Sequence, residues 1–177
     1  MEGSIILPPI ISIRGYSKSG KTTFICNLLR ELSSRSYRVA VVKHDPKGYG
    51  LYDAEGTDTN KFWGAGAEAV FLSSPYQFFF RKKVEQEVMP EIFSSLCEEF
   101  DLVILEGYKK LNYPFIEIVT TNDDRLLQAG ESLALIVDNK QLFRYYDDTI
   151  CFSRDDISGV ADYLEEKGFL VKRRNKW

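Results

Sequence analysis

What this sequence lacks limits its chemistry first. It has a single histidine, His44, and a lone imidazole beside a strand end is more often structural than catalytic. Its three cysteines, Cys26, Cys97 and Cys151, are odd in number and widely spaced, with no C-x-x-C pair. That suits three reduced thiols in a cytoplasmic protein and argues against a zinc site or a disulfide scaffold. No apolar run reaches the roughly 18 residues of a transmembrane helix, so no membrane association is expected. The stretch from Met1 to Ile13 has no basic region followed by an apolar run and a cleavage site, so it reads as a lead-in to the first strand. An excess of basic charge is also missing. Lys and Arg number 23 against 26 Asp and Glu, a net charge of −3, which gives no support to a nucleic-acid partner. The basic tail Lys172-Arg173-Arg174-Asn175-Lys176 reads as a solvated end. Repeats, low-complexity tracts and linkers are absent. The 177 residues, 44% hydrophobic and 28% charged, therefore read as one globular domain spanning 1–177.

The most informative stretch is Gly15-Tyr16-Ser17-Lys18-Ser19-Gly20-Lys21-Thr22, followed by Thr23. It fits G-x-x-x-x-G-K-S/T, the phosphate-binding P-loop. Ile10, Ile11 and Ile13 precede it as a buried strand would, and Phe24, Ile25, Leu28, Leu29 and Leu32 follow at helical spacing. Glycines let the backbone turn tightly so that successive N–H groups converge on phosphate oxygens. The following helix adds its positive end. Lys21 would reach the terminal phosphates, and Thr22 would bind Mg²⁺ through its hydroxyl. The alternative is a Gly/Ser turn with a helix cap, which the two flanks disfavour.

Further along, Arg38–Lys43 reads as a buried strand, and Lys43-His44 opens a long polar loop to about Thr59 that could act as a switch segment carrying Asp53 and Asp58. Asp58 is placed to cap a short helix through Phe62 and Trp63. Ala69–Leu72 and Gln77–Arg81 read as strands, and the segment from about Val84 to Phe100 as a helix. Three more strands fall at Leu102–Leu105, Phe115–Val119 and Leu133–Val137. A last helix follows the capping-box-like Ser153–Asp156, with Gly168 placed to end it. Strands alternating with helices predict an α/β, three-layer P-loop NTPase fold with a mainly parallel sheet flanked by helices. Ligands in such sheets bind beyond the carboxyl ends of the strands.

The segment Asp101–Gly107 looks like a Walker-B strand with an acid at each end. The two acids lie roughly 17 Å apart along an extended strand and on opposite faces, so they cannot share one metal. Glu106, at the carboxyl end, is assigned to the metal or its water shell. Asp101 reads as a strand-start or surface acid. Tyr76–Phe80 is an aromatic run without polar alternation, suited to core or dimer packing more than to nucleic acid. No cis arginine finger is evident, since Arg14 precedes the P-loop and Arg81 lies on a distant element.

With these residues in place, the chain resembles the MobB family of molybdopterin-guanine dinucleotide biosynthesis proteins over nearly its whole length. The resemblance rests on Gly15–Thr23, Lys43-His44, Gly56-x-Asp58-Thr59, Ala65-Gly66-Ala67 and Glu106-Gly107-Tyr108-Lys109. It implies a dimeric, GTP-binding P-loop protein with weak GTPase activity that assists a MobA-type guanylyltransferase in attaching GMP to molybdopterin. Nucleotide-contact positions implied in this way are Gly15 to Thr23, Lys43, His44 and Asp58, with Lys21 and Glu106 in the catalytic role and Thr22 and Glu106 at Mg²⁺. Thr57 stands where the family often has a base. The guanine-reading N-K-x-D is absent, and Val137-Asp138-Asn139-Lys140 holds similar residues in a different order. A small-molecule kinase using ATP is the competing enzyme reading. A nucleotide-gated adaptor whose hydrolysis has no metabolic role is a third.

Overall fold

A computed structural model describes residues 7–45, 47–48, 50, 53–86, 99–120, 132–138 and 149–172. In chain order the elements are β1 (Ile10–Gly15), α1 (Lys21–Ser34), β2 (Val39–Lys43), α2 (Asp58–Gly64), β3 (Ala69–Ser73), β4 (Phe78–Lys82), β5 (Leu102–Glu106), β6 (Phe115–Val119), β7 (Ser132–Val137), β8 (Cys151–Ser153) and α3 (Ile157–Glu166). The contacts separate into two compact units, Met1–His44 with Pro90–Trp177, and Asp45–Met89.

The first unit is built on six parallel strands in the order β2-β5-β1-β6-β7-β8. Strand pleating sorts its apolar residues onto two faces. Ile11, Ile13, Leu102, Ile104, Ile116, Ile118, Ala134 and Ile136 meet Phe24, Ile25, Leu28 and Leu32 of α1 and Val160, Ala161 and Leu164 of α3 in one core. Each such side chain contributes about 1.5–3 kcal/mol when fully buried. Val103 and Leu105 face the other way with Ile10, Ala40 and Val42. Both described helices of this unit share one face. The helix expected at about Val84–Phe100, with Val88, Ile92, Phe93, Leu96 and Cys97, falls mostly outside the described residues. The architecture is the α/β P-loop class, with β1 at the point where the connections change direction. That is where such sheets place ligands.

Several local expectations are corrected. β2 is the edge of the described sheet, and Val41 is 41% exposed, so this strand is not covered on both faces. Of its two readings, strand-start acid and surface acid, Asp101 holds to the first. It is 2% exposed, accepts a 2.8 Å bond from the Arg38 N–H and lies 3.8 Å from Arg38 Nε, while its own N–H donates to the Arg38 carbonyl. It fixes the start of β5 against the entrance to β2. The cap of α3 is Asp156, whose carboxylate accepts from Gly159 N–H, and Ser153 instead ends β8, a three-residue strand that the sequence reading missed. Gly168 does close α3, at φ +75°, with its N–H and that of Phe169 satisfying the last carbonyls.

In the second unit β3 and β4 form an antiparallel ribbon of their own. Thr57, not Asp58, caps α2 by accepting from Asn60 N–H. Asp58 is the first helical residue, paired with Lys61 at 2.9 Å. Arg81 and Lys83 both lie over the Trp63 ring, and Lys83 also pairs with Glu68. The ribbon exposes Phe71, Leu72, Tyr76, Phe78 and Phe80.

Candidate functional site

The loop between β1 and α1 has the backbone that a phosphate cradle needs. Gly15 lies at φ +145° and Gly20 at φ +82°, and Lys18 takes the left-handed region between them at φ +63°. A Cβ on Gly15 would meet the Ile118 carbonyl at 2.9 Å and Ser19 Oγ at 2.7 Å, so the loop packs directly on β6. Ser19 N–H closes the turn onto the Tyr16 carbonyl. α1 begins at Lys21 with no side-chain cap and no acid in its first turn. Its first N–H groups therefore face the loop as an anion site of the usual helix-terminus kind. The Ser19 hydroxyl is buried and has no partner among the described residues, a donor pointing to a ligand that would use it.

Strand parity brings Glu106 to this loop. Leu102, Ile104 and Glu106 share the face that packs on α1, so the carboxylate emerges beside the first turn of that helix. Its Oε1 accepts a 2.9 Å bond from Thr22 Oγ1 and lies 3.0 Å from Lys43 Nζ. Lys43 is directly opposite Glu106 in the β2–β5 register, which explains the second contact. Lys21 folds back onto its own loop, donating to the Gly15 carbonyl at 3.2 Å and the Tyr16 carbonyl at 2.5 Å. Partial burial holds its pKa below the ordinary lysine value, and nearby Lys109 and Lys43 add to the shift, while Glu106 opposes it.

His44 and Tyr108 close the edge of the site. His44 N–H donates to the Glu106 carbonyl, and its ring stacks on Tyr108 at 4.7 Å. Gly107 and Tyr108 take successive positive φ values of 99° and 48°. A side chain on Gly107 would press within 3.0 Å of His44 Cβ. Left-handed backbone at a tyrosine costs about 1–2 kcal/mol, which the stack and the Ser12 Oγ bond to the Gly107 carbonyl help to offset. Lys109 then lies over the Tyr16 ring at 4.9 Å.

The structure thus gathers Gly15, Tyr16, Ser17, Lys18, Ser19, Gly20, Lys21, Thr22, Thr23, Lys43, His44 and Glu106 at one edge of the first unit. Asp58 and Asp53 belong to the second unit. There Asp53 accepts from Thr57, and hydrogen bonds from Thr59 and Thr57 lower its pKa. Asp101 stays at the far end of β5. The sequence reading gave no role to Lys109 and missed Arg154, whose guanidinium reaches the Ser19 carbonyl. For Lys109 the signal was its place directly after Gly107-Tyr108, at the end of the Glu106–Lys109 motif.

The donor set fits Mg²⁺ in its chemistry. A threonine hydroxyl and a carboxylate are the hard oxygen ligands that this ion takes when phosphate and water complete its shell. Among the described residues no cluster of three or more His, Cys, Asp or Glu offers a closed metal cage.

Comparison with known proteins gives the same neighbourhood. Residues 10–139 match the family model described as molybdopterin guanine dinucleotide synthesis protein B. The chain is 31% identical over 162 residues to the probable molybdopterin-guanine dinucleotide biosynthesis adapter protein of Bacillus subtilis (strain 168), covering 89% of this chain and 92% of that one. It is 34% identical over 113 residues to the molybdopterin-guanine dinucleotide biosynthesis adapter protein of Haemophilus influenzae, 61% of each chain. A crystal structure of molybdopterin-guanine biosynthesis protein B superposes with a TM-score of 0.70 at 30% identity, covering 89% of this chain and 99% of that one.

Proposed function

The chain belongs to the molybdopterin guanine dinucleotide synthesis protein B (MobB) family, and from that premise we propose that it is a GTP-binding adapter with slow GTPase activity. In this reading it assists a MobA-type guanylyltransferase in the cytoplasm during the joining of GMP to molybdopterin. The single observation that carries the nucleotide part is the convergence of Lys21, Thr22 and Glu106 on the open N-terminus of α1.

The loop N–H groups and Lys21 hold the phosphates, and Lys109 and Lys43 add positive charge beside them. Thr22 and Glu106 would hold Mg²⁺, which would supply charge neutralisation at the terminal phosphates. To serve, Lys21 would leave the Gly15 and Tyr16 carbonyls, and Glu106 would give up Lys43. The sequence offers no evident cis arginine finger, a group worth about 10³–10⁵ in rate where one is used. Slow turnover of the isolated protein follows from that reading, with the partner able to add the missing charge.

We also propose a homodimer formed through the β3–β4 ribbon. Phe78 is 76% exposed and Tyr76 99%, and Phe71 stacks on Phe80 across the strand pair. A two-stranded ribbon is marginal by itself and an apolar patch of this kind favours association. The kinase alternative needs Arg81-Lys82-Lys83 as a basic lid, yet Arg81 and Lys83 are engaged on Trp63 within the second unit. Among the described residues no helix is long and apolar enough to cross a membrane.

The test is binding and turnover with GTP and ATP at varied Mg²⁺, with and without a molybdopterin-loaded guanylyltransferase. Mg²⁺-dependent GTP binding with slow turnover is expected. Fast ATP turnover by the protein alone would overturn the adapter reading in favour of the kinase.

A further inference from the structure

Arg154 stands just beyond β8, 135 positions from the P-loop serine whose backbone it holds. Its Nη1 donates a 2.9 Å bond to the Ser19 carbonyl, and its Nε pairs with Asp138 at 2.5 Å, just beyond the end of β7. Gly20 makes room for it. A Cβ at Gly20 would lie 2.4 Å from Arg154 Nη1, and Gly20 sits at φ +82°, a conformation that side chains resist. Three independent features therefore meet at one peptide: a charge-assisted bond, an anchoring carboxylate and a glycine whose missing side chain the guanidinium occupies.

We propose that Arg154, anchored by Asp138, is the positioning residue of the P-loop: it fixes the Ser19–Gly20 peptide so that the loop N–H groups converge on phosphate. This rests on the nucleotide reading above. A planar guanidinium can hold a carbonyl and a carboxylate at once in a fixed geometry, which a lysine ammonium does less well. With the Ser19 carbonyl bound on one side, the next N–H in the loop is oriented toward the other. Both partners lie at the carboxyl ends of strands, so β7 and β8 set the loop through this one side chain. The effect acts through the loop backbone, so it is blind to the base and sugar.

That blindness gives the test. Dissociation constants for Mg²⁺–GTP and for Mg²⁺ with inorganic tripolyphosphate are measured on the full chain for wild type, Arg154→Ala, Arg154→Lys and Asp138→Asn, with melting of the nucleotide-free proteins alongside. Loss of a charge-assisted bond predicts that Arg154→Ala weakens both ligands by the same factor, about ten- to a hundredfold. Asp138→Asn should weaken both by about two- to fivefold, as expected for a partly exposed pair. Arg154→Lys should fall between them. Weakening of GTP alone would mean that Arg154 touches base or sugar, and would overturn the proposal. So would unchanged affinity for both ligands in folded variants, even with a lowered melting temperature. If Arg154→Ala does not fold, Arg154→Lys and Asp138→Asn decide by the same comparison. Failure of wild type to bind either ligand would instead refute the nucleotide reading itself.

Discussion

Replacing Glu106 by glutamine separates the two acids of β5 and tests the site as a whole. The substitution keeps shape and removes charge. Glu106 Oε1 holds Thr22 at 2.9 Å and Lys43 at 3.0 Å. At 3 Å and an effective dielectric near 20, the pair with Lys43 has a Coulomb ceiling of about 5–6 kcal/mol. Little of that reaches stability, because the Lys43 side chain is 64% exposed and can return to water. A change of under about 1 kcal/mol in the empty fold is expected. Binding is different, since a metal ligand has no solvent substitute of equal charge. Loss of one charged contact, about 1.5–3 kcal/mol, predicts roughly ten- to a hundredfold weaker Mg²⁺-dependent GTP binding. Asp101→Asn should do the reverse. That carboxylate is buried on Arg38, so its loss should cost about 1–3 kcal/mol, a fall of about 3–10 °C in melting temperature, with nucleotide affinity intact. Nucleotide titrations at several Mg²⁺ concentrations and thermal denaturation of both variants give the four numbers. If Asp101→Asn damages Mg²⁺-dependent binding more than Glu106→Gln in a folded protein, the assignment of the two acids is wrong.

Three further outcomes are expected. Lys21→Ala should abolish most triphosphate affinity and leave the stability of the empty protein within about 1 kcal/mol of wild type, because its two carbonyl bonds are set against burial of its charge; calorimetric titration and melting check both halves. Lys21 holds its proton less tightly than an ordinary lysine, so it is charged below its lowered pKa and loses its charge before the usual lysine range is reached. GTP affinity should accordingly fall with rising pH earlier than in a protein with an unperturbed lysine, while the stability of the empty fold rises over the window between the lowered and ordinary pKa; titrations and melts from about pH 7 to about pH 10 would show a flat profile if the reasoning fails. The double substitution of Phe71 and Phe78 by lysine should convert the dimer to monomer with unchanged GTP affinity, by light scattering, and a wild-type monomer at micromolar concentration would refute the ribbon as an interface.

The parts of this protein that were legible in the sequence are those whose physics is local. The P-loop is contiguous, and its glycines, lysine and threonine are neighbours in the chain before they are neighbours in space. Glu106 could be preferred to Asp101 because ligands of such sheets gather at the carboxyl ends of the strands, where Glu106 lies. For Asp101 the strand-start and surface readings stayed open, since its burial depends on Arg38, 63 positions away. The cap of α3 was read three residues early because Ser153, Asp155 and Asp156 are all capable caps and only the end of β8 decides among them. β8 itself is three residues long, too short for any periodicity. Arg154 was invisible for the same reason that makes it informative: only the parallel order of β7 and β8 carries it to the loop.

Three side chains around the loop are already engaged, Lys21 by the Gly15 and Tyr16 carbonyls and Thr22 and Lys43 by Glu106, whereas the Ser19 hydroxyl and the first N–H groups of α1 stand open. In the proposed nucleotide complex, contacts to Lys21, Thr22 and Glu106 would be exchanges for existing ones, while those to Ser19 and the α1 N–H groups would fill open donors. Such exchanges give modest net enthalpy for the number of contacts formed. The existing contacts would also hold Lys21, Thr22 and Glu106 in place when the loop is empty. The proposed site would then be open to control by whatever else competes for Glu106.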